Sequence, residues 1–163
     1  MGIPLEQTIG TLLRARSLKL ATAESCTGGL VADYITNVPG SSDYFLGGVI
    51  AYAYEAKVAL LHVSWDTLHL NGAVSRETVI EMARGVRSAL GADIGISVSG
   101  IAGPGGGLPD KPVGTTWIGL STPDGEWTRK FVWGGDRRSN KQSASLAALQ
   151  LLLDYLDKKL ENG

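Results

Sequence analysis

SRETVIEMARGVRSALGADIGISVS, residues 75–99, carries a helix, its stop and a strand in one unbroken run. Val79, Met82, Val86 and Leu90 share one face at helical spacing, Ser75 is the candidate N-cap and Glu77 lies in the favourable first turn. The pattern therefore predicts a helix over 76–90. Gly91 ends it. Ile94–Ser99 reads as a strand that runs straight into SGIAGPGGG, residues 99–107. A helix that hands over to a strand within a few residues belongs to a chain in which the two alternate.

The same alternation extends in both directions. Leu5, Ile9, Leu12 and Leu13 predict an amphipathic helix over 5–16. A strand over 18–24 ends at Glu24-Ser25-Cys26, and Thr27-Gly28-Gly29 opens a second helix through Thr36. Pro39-Gly40 marks a turn, FLGGVIAYA over 45–53 reads as a strand, and 55–61 as a short helix; the stretch around Trp65 receives no assignment. Beyond the glycine cluster, strands over 114–122 and 126–133 form a hairpin about Pro123-Asp124-Gly125. The last helix, 138–159, carries Leu146, Leu149, Leu153, Leu156 and Leu160 as a core stripe. With no long polar linker and no internal repeat, residues 1–163 read as a single domain. The expected architecture is a three-layer α/β/α sandwich around one mixed β-sheet, because β-to-α alternation gives parallel pairs and the hairpin adds an antiparallel one. Ligands of such sheets sit beyond strand ends, which singles out Glu24–Gly29 and Ser99–Gly107.

Composition sets the remaining bounds. Of 163 residues, 44% are hydrophobic and 19% charged, enough apolar material for a core and too much for a disordered or fibrous chain. Fifteen basic against sixteen acidic side chains give a net charge of −1, so no overall positive field holds nucleic acid or an anionic membrane. An anionic ligand must be bound locally. Cys26 is the one cysteine, which excludes an intrachain disulfide framework and fits a reducing, cytoplasmic setting. No apolar run approaches the roughly 20 residues of a membrane span, and the first twenty residues lack a signal-peptide pattern. The 22 glycines exceed the average usage of about 7% and cluster between apolar segments, as in loops that approach something closely.

Three segments can carry chemistry. In AESCTGG, residues 23–29, Ser25 sits between a strand and a glycine-opened helix, where it is a candidate nucleophile or anion site; Ser25 or Thr27 equally suits a plain helix cap. Cys26 has no histidine close in sequence to act as its base and reads as a small hydrophobe. In VIAYAYEAK, residues 49–57, Tyr52, Tyr54 and Lys57 fall where a strand passes into a helix. A desolvated lysine beside a serine is a general base and a tyrosine can relay a proton, although a solvated helix lysine fits the same spacing. Lys57 is five after Tyr52 and three after Tyr54, which rules out the four-residue tyrosine-lysine spacing of short-chain dehydrogenases. In SGIAGPGGGLPDKPVG, residues 99–114, glycines open the backbone to a phosphate or sugar, yet the run is neither a P-loop nor a dinucleotide fingerprint. Lys111 and Arg137 are candidate phosphate partners. His62 and His69 form no metal pattern.

Taken in order, AESCTGG, the 52–57 segment, Gly72-Ala73-Val74-Ser75, SGIAGPGGG, Lys111-Pro112-Val113-Gly114 and Gly135-Asp136-Arg137 closely resemble the CinA family. The match is with its C-terminal domain, over about residues 5–157, in the form found alone as an amidase of nicotinamide nucleotides. The resemblance implies a three-layer α/β/α fold, a cytoplasmic homo-oligomer (dimer or trimer), and hydrolysis of nicotinamide mononucleotide to nicotinate mononucleotide and ammonia in pyridine nucleotide salvage. It implies neither cofactor nor metal, and a small-molecule mononucleotide as the partner. By motif, the catalytic residues are Ser25, Tyr52 and Lys57, with Lys57 taking the serine proton directly or through Tyr52. The oxyanion is expected against backbone N–H groups at the start of the Thr27 helix. Substrate binding is expected at Thr27, Gly28, Gly29, Gly100, Ala102, Gly103, Gly105, Gly106, Lys111 and Arg137. Two positions depart from the family pattern: Tyr54 stands where asparagine is usual, and Lys141 where arginine is common. Larger CinA proteins add an N-terminal domain resembling molybdopterin-binding proteins, and no segment here corresponds to it. The alternative from another class is a catalytically silent nucleotide-binding or regulatory module.

Overall fold

A computed structural model describes residues 2–162. Its strands are β1 (Leu20–Glu24), β2 (Phe45–Ile50), β3 (Ile94–Gly100), β4 (Thr115–Thr122) and β5 (Gly125–Val132). They form one sheet in the order β2-β1-β3-β4-β5. β1 pairs parallel with β2 and with β3, whereas β3–β4 and β4–β5 are antiparallel. The mixed sheet expected from the alternation is present.

The helices are α1 (Leu5–Ala15), α2 (Leu30–Thr36), α3 (Tyr54–Leu61), α4 (Trp65–Asn71), α5 (Arg76–Leu90) and α6 (Arg137–Leu156). α5 lies across β1, β3 and β4 with α3 and α4 beside it, while α1, α2 and α6 pack together on the opposite face. The core is correspondingly double. One cluster joins Ile9, Leu13, Ile35, Ile96, Leu149 and Leu152, the other Ala21, Leu61, Val63, Met82 and Val86.

Several boundaries differ from the sequence reading. The second helix begins at Leu30, not at Thr27, because Thr27–Gly29 form a turn in which Gly29 has φ 106°. β2 stops at Ile50, leaving residues 51–53 as the link into α3. The unassigned stretch around Trp65 is α4, capped by Ser64 Oγ, which accepts from the Thr67 amide at 3.0 Å. α6 ends at Leu156, three residues early. Leu146 faces solvent, and Ala144, Ala148, Leu151 and Leu152 take the core positions beside Leu149 and Leu156.

Part of the glycine content serves the helix-sheet contact. A Cβ at Gly85 would stand 1.9 Å from the Leu61 carbonyl oxygen, and one at Gly119 2.5 Å from that of Val79. These glycines let α5 lie flat against α3 and the sheet, a use of glycine in addition to the closely approaching loops expected from the sequence.

Candidate active site

The parallel β1–β2 pair delivers two chain segments to one sheet end. Glu24 closes β1 opposite Ile50, and the Ala51 amide donates to the Glu24 carbonyl at 2.9 Å, continuing the pairing just past the strands. Ser25 follows β1, while the chain leaving β2 turns into α3 and brings Lys57 back over it. Lys57 Nζ donates to Ser25 Oγ at 2.9 Å, to the Ala51 carbonyl at 2.8 Å and to the Tyr52 carbonyl at 3.2 Å. Lys57 is 1% exposed and Ser25 7%, so the pair is closed off from bulk water.

Burial penalises the ammonium form and pulls Lys57 down to about 8. The neutral amine fits the surroundings. As ammonium Lys57 donates to all three oxygens; once it is neutral, two N–H bonds serve the two carbonyls and the lone pair accepts from the Ser25 hydroxyl. The solvated-helix reading of Lys57 and the plain-cap reading of Ser25 are both displaced by this geometry. Cys26, next to Ser25, is pushed by burial up to about 11, which keeps it a thiol.

The cavity around the pair is about 170 Å³ and is lined by Ser25, Cys26, Tyr52, Lys57, Ala73, Val74, Ser99, Gly100, Ala102 and Arg137. Tyr52 is 63% exposed at its mouth, and its hydroxyl accepts from Arg137 Nη2 at 3.2 Å. Arg137 Nη1 donates to the Gly103 carbonyl at 2.8 Å, so one guanidinium ties both walls together. The Tyr52 hydroxyl has no hydrogen bond to Ser25 or Lys57 among the described residues; the lysine reaches the serine directly.

Of the expected substrate residues, Gly100, Ala102 and Arg137 line this cavity and Gly103 adjoins it through its carbonyl. Gly105 and Gly106 lie in the exposed part of the loop and do not line it. Lys111 points elsewhere: its Nζ donates to the Asn71 carbonyl at 2.6 Å, pinning the glycine loop to the end of α4. Thr27, Gly28 and Gly29 border a separate hollow with Arg138 and Lys141. A larger hollow of about 550 Å³ between α5 and the β4–β5 hairpin is lined by Thr67, Arg76, Glu77, Glu81, Arg84 and Glu126, with neither a serine nor a lysine. No cluster of three or more metal-ligating side chains occurs among the described residues.

Four residues contribute in ways that the sequence motifs did not assign. Ala73 and Val74, singled out in the sequence only as part of a family motif, line the cavity and carry no reactive group that would have assigned them a role. Buried Asn140 donates to the Ala102 and Gly135 carbonyls, both at 3.0 Å, and joins the glycine loop to the start of α6. Glu24 is 1% exposed, and a carboxylate buried between a strand and a glycine pair was the available signal.

The family model described as CinA C-terminal domain matches residues 3–156. A CinA-like protein of Chloroherpeton thalassium is 50% identical over 159 residues, covering 95% of this chain and 38% of the relative. The CinA-like protein of Synechocystis is 46% identical over 98% of this chain, again 38% of the relative. The chain thus spans well under half the length of these curated relatives. Among solved structures, the competence/damage inducible protein CihA of Agrobacterium tumefaciens superposes with a TM-score of 0.91 at 35% identity, covering 96% of this chain and 99% of that one. The competence damage-inducible protein A of Klebsiella pneumoniae gives 0.91 at 36% identity, over 94% and 95% of the two chains.

Proposed function

Because this chain belongs to the CinA C-terminal domain family, we propose that it is an amidohydrolase that converts nicotinamide mononucleotide and water to nicotinate mononucleotide and ammonia. The observation that carries the reading is the buried 2.9 Å contact between Lys57 Nζ and Ser25 Oγ. A lysine lowered by burial to about 8, so that the neutral amine is accessible beside a hydroxyl, meets the requirement for a serine nucleophile without histidine.

In the proposed cycle Ser25 Oγ bonds to the carboxamide carbon as neutral Lys57 takes the hydroxyl proton. The tetrahedral intermediate collapses, the C–N bond breaks, and Lys57 returns the proton to the departing nitrogen so that ammonia leaves. Water then attacks the ester, gives a proton to Lys57, and the C–Oγ bond breaks. Ser25 recovers its proton from Lys57, and the carboxylic acid leaves, its proton passing through water to the released ammonia. Arg137 and the Tyr52 ring at the mouth bind the nucleotide, Arg137 being the one arginine among the cavity-lining residues.

Tyr54, the departure behind the silent-module alternative, is not among the cavity-lining residues; its hydroxyl accepts from the Ala73 amide at 3.3 Å. The substitution leaves the Ser25–Lys57 contact intact, which favours the enzyme reading. Ammonia release from nicotinamide mononucleotide by the purified protein tests it, with Ser25→Ala expected to lose about 10⁴-fold or more. Calorimetric binding of the nucleotide with no ammonia produced would support the silent module instead. A panel of carboxamides with and without a 5′-phosphate tests the substrate class, and sedimentation tests the homo-oligomer.

A further inference from the structure

Glu24, one residue before the proposed nucleophile, is a buried carboxylate that no lysine or arginine pairs with among the described residues. Such a group is costly unless its lone pairs are met. Here they are met by one short stretch of chain. Glu24 Oε1 accepts from Thr27 Oγ1 at 2.6 Å, from the Val31 amide at 2.9 Å and from the Gly29 amide at 3.2 Å; Oε2 accepts from the Ala32 amide at 3.0 Å. α2 has no side-chain cap of its own, its N-cap residue being Gly29, and Glu24 supplies that function from the preceding strand.

The amides of the turn can then be accounted for one by one. Ser25 donates to the Val98 carbonyl, Gly28 to that of Ser25 and Leu30 to that of Thr27. Gly29, Val31 and Ala32 donate to Glu24. Cys26 and Thr27 are left: neither amide has a carbonyl or carboxylate acceptor among the described residues, and the Cys26 amide has only its own sulfur beside it. Cys26 lines the Ser25 cavity, and its amide belongs to the peptide bond that follows the nucleophile. We propose that Glu24 is a positioning residue: by taking the Thr27 hydroxyl and the Gly29, Val31 and Ala32 amides it fixes the turn so that the Cys26 amide faces the Ser25 cavity, clear of any carbonyl, to receive the oxyanion. This rests on the serine-hydrolase reading above. It also narrows the oxyanion site, since most of the helix-start amides are already taken. Glu24 makes no hydrogen bond to Lys57, whose partners are Ser25, Ala51 and Tyr52, so it acts on the oxyanion side and leaves the base alone.

Glu24→Gln keeps the shape but turns one acceptor oxygen into a donor facing donors. With nicotinamide mononucleotide, the expected result is a fall in kcat of about 10²-fold with KM within about twofold, a loss of the size seen when an oxyanion donor is misplaced. The rise of kcat/KM through about pH 8 stays where it is. Phosphonylation of Ser25 by a fluorophosphonate, which needs the same nucleophile and oxyanion donors, slows by a similar factor and titrates the folded sites. Thr27→Val removes one donor and keeps three amide contacts, and is expected to lose about 10-fold. A folded Glu24→Gln protein that reacts within about threefold of wild type, or that loses only in KM, overturns the inference. If Glu24→Gln does not fold, Thr27→Val decides by the same criteria. Wild type that is phosphonylated but releases no ammonia overturns the substrate assignment alone, and the Glu24 comparison then runs on the phosphonate. Wild type inert to both overturns the nucleophile and this inference together.

Discussion

Lys57 and Ser25 lie 32 positions apart and meet through one hydrogen bond of 2.9 Å, made by the parallel pairing of β1 with β2. Ser25 leaves the end of β1. The link after β2 turns within three residues, and the first turn of α3 places Lys57 above the serine, its own amide bonded to the Ala53 carbonyl at 3.2 Å. The same link supplies the two carbonyls that hold the lysine, so a register change in the sheet would misplace base and nucleophile together.

The pH dependence of activity follows from this pair. Lys57 must be neutral to take the serine proton, and burial sets its value at about 8. kcat/KM for ammonia release is therefore expected to rise with pH between 6.5 and 9.5, with its midpoint near that value, and Lys57→Met to lose about 10⁴-fold. A flat profile over this range would remove Lys57 as the base.

Stability carries the same signature with a definite sign. Lys57 falls from 10.5 in the open chain to about 8 in the fold, so between these values the unfolded chain holds more protons and stability rises with pH. The difference corresponds to about 3 kcal/mol. Denaturant unfolding from pH 7 to 10.5 should show wild type gaining roughly that much relative to Lys57→Met. Parallel curves for the two proteins would contradict it.

The sheet was legible because it depends on strong local signals, helix periodicity in Val79–Leu90 and strand ends running into glycine, whereas the pairing of Ser25 with Lys57 came from the family resemblance, the two segments by themselves fitting a helix cap and a solvated lysine as well. What escaped reading depends on contacts distant in sequence or on weak patterns. α4 is seven residues long, and the Ser64 cap was its main mark. Lys111 looked like a phosphate partner because a lysine in a glycine loop is cationic, but the loop folds back and spends it on the Asn71 carbonyl. Glycines 85 and 119 look like any others in sequence, and their purpose appears only where α5 meets α3 and the sheet.

Cys26 lines the cavity, yet burial raises its thiol to about 11, leaving almost no thiolate at neutral pH. Cys26→Ala is expected to keep ammonia release within about threefold, and the wild-type thiol to react slowly with iodoacetamide at pH 8. Loss of turnover comparable to that of Ser25→Ala would transfer the nucleophile to Cys26.

Gly119→Ala and Gly85→Ala would each press a methyl onto backbone, the first near the Val79 carbonyl at 2.5 Å and the second near that of Leu61 at 1.9 Å. Backbone cannot swing aside as a side chain can. Each change should lower unfolding free energy by about 1–3 kcal/mol or more, with Gly85 the worse. Gly105→Ala, which meets nothing within 4 Å, is the control expected to leave stability nearly unchanged.

Arg137 and Tyr52 give the sharpest separation between binding and proton transfer. Arg137 spans the mouth, donating to the Gly103 carbonyl at 2.8 Å and to the Tyr52 hydroxyl at 3.2 Å, while Lys57 reaches Ser25 without either. Arg137→Lys keeps the charge but loses the planar fork that serves both partners, so KM for nicotinamide mononucleotide should rise about 10-fold with a smaller change in kcat. Tyr52→Phe removes only the hydroxyl that accepts from Arg137 and should cost about 10-fold or less, far below Lys57→Met. Steady-state kinetics of the three variants check the order. If Tyr52→Phe instead matched Lys57→Met in kcat, the serine proton would have to travel through the tyrosine, and the direct lysine route would be wrong.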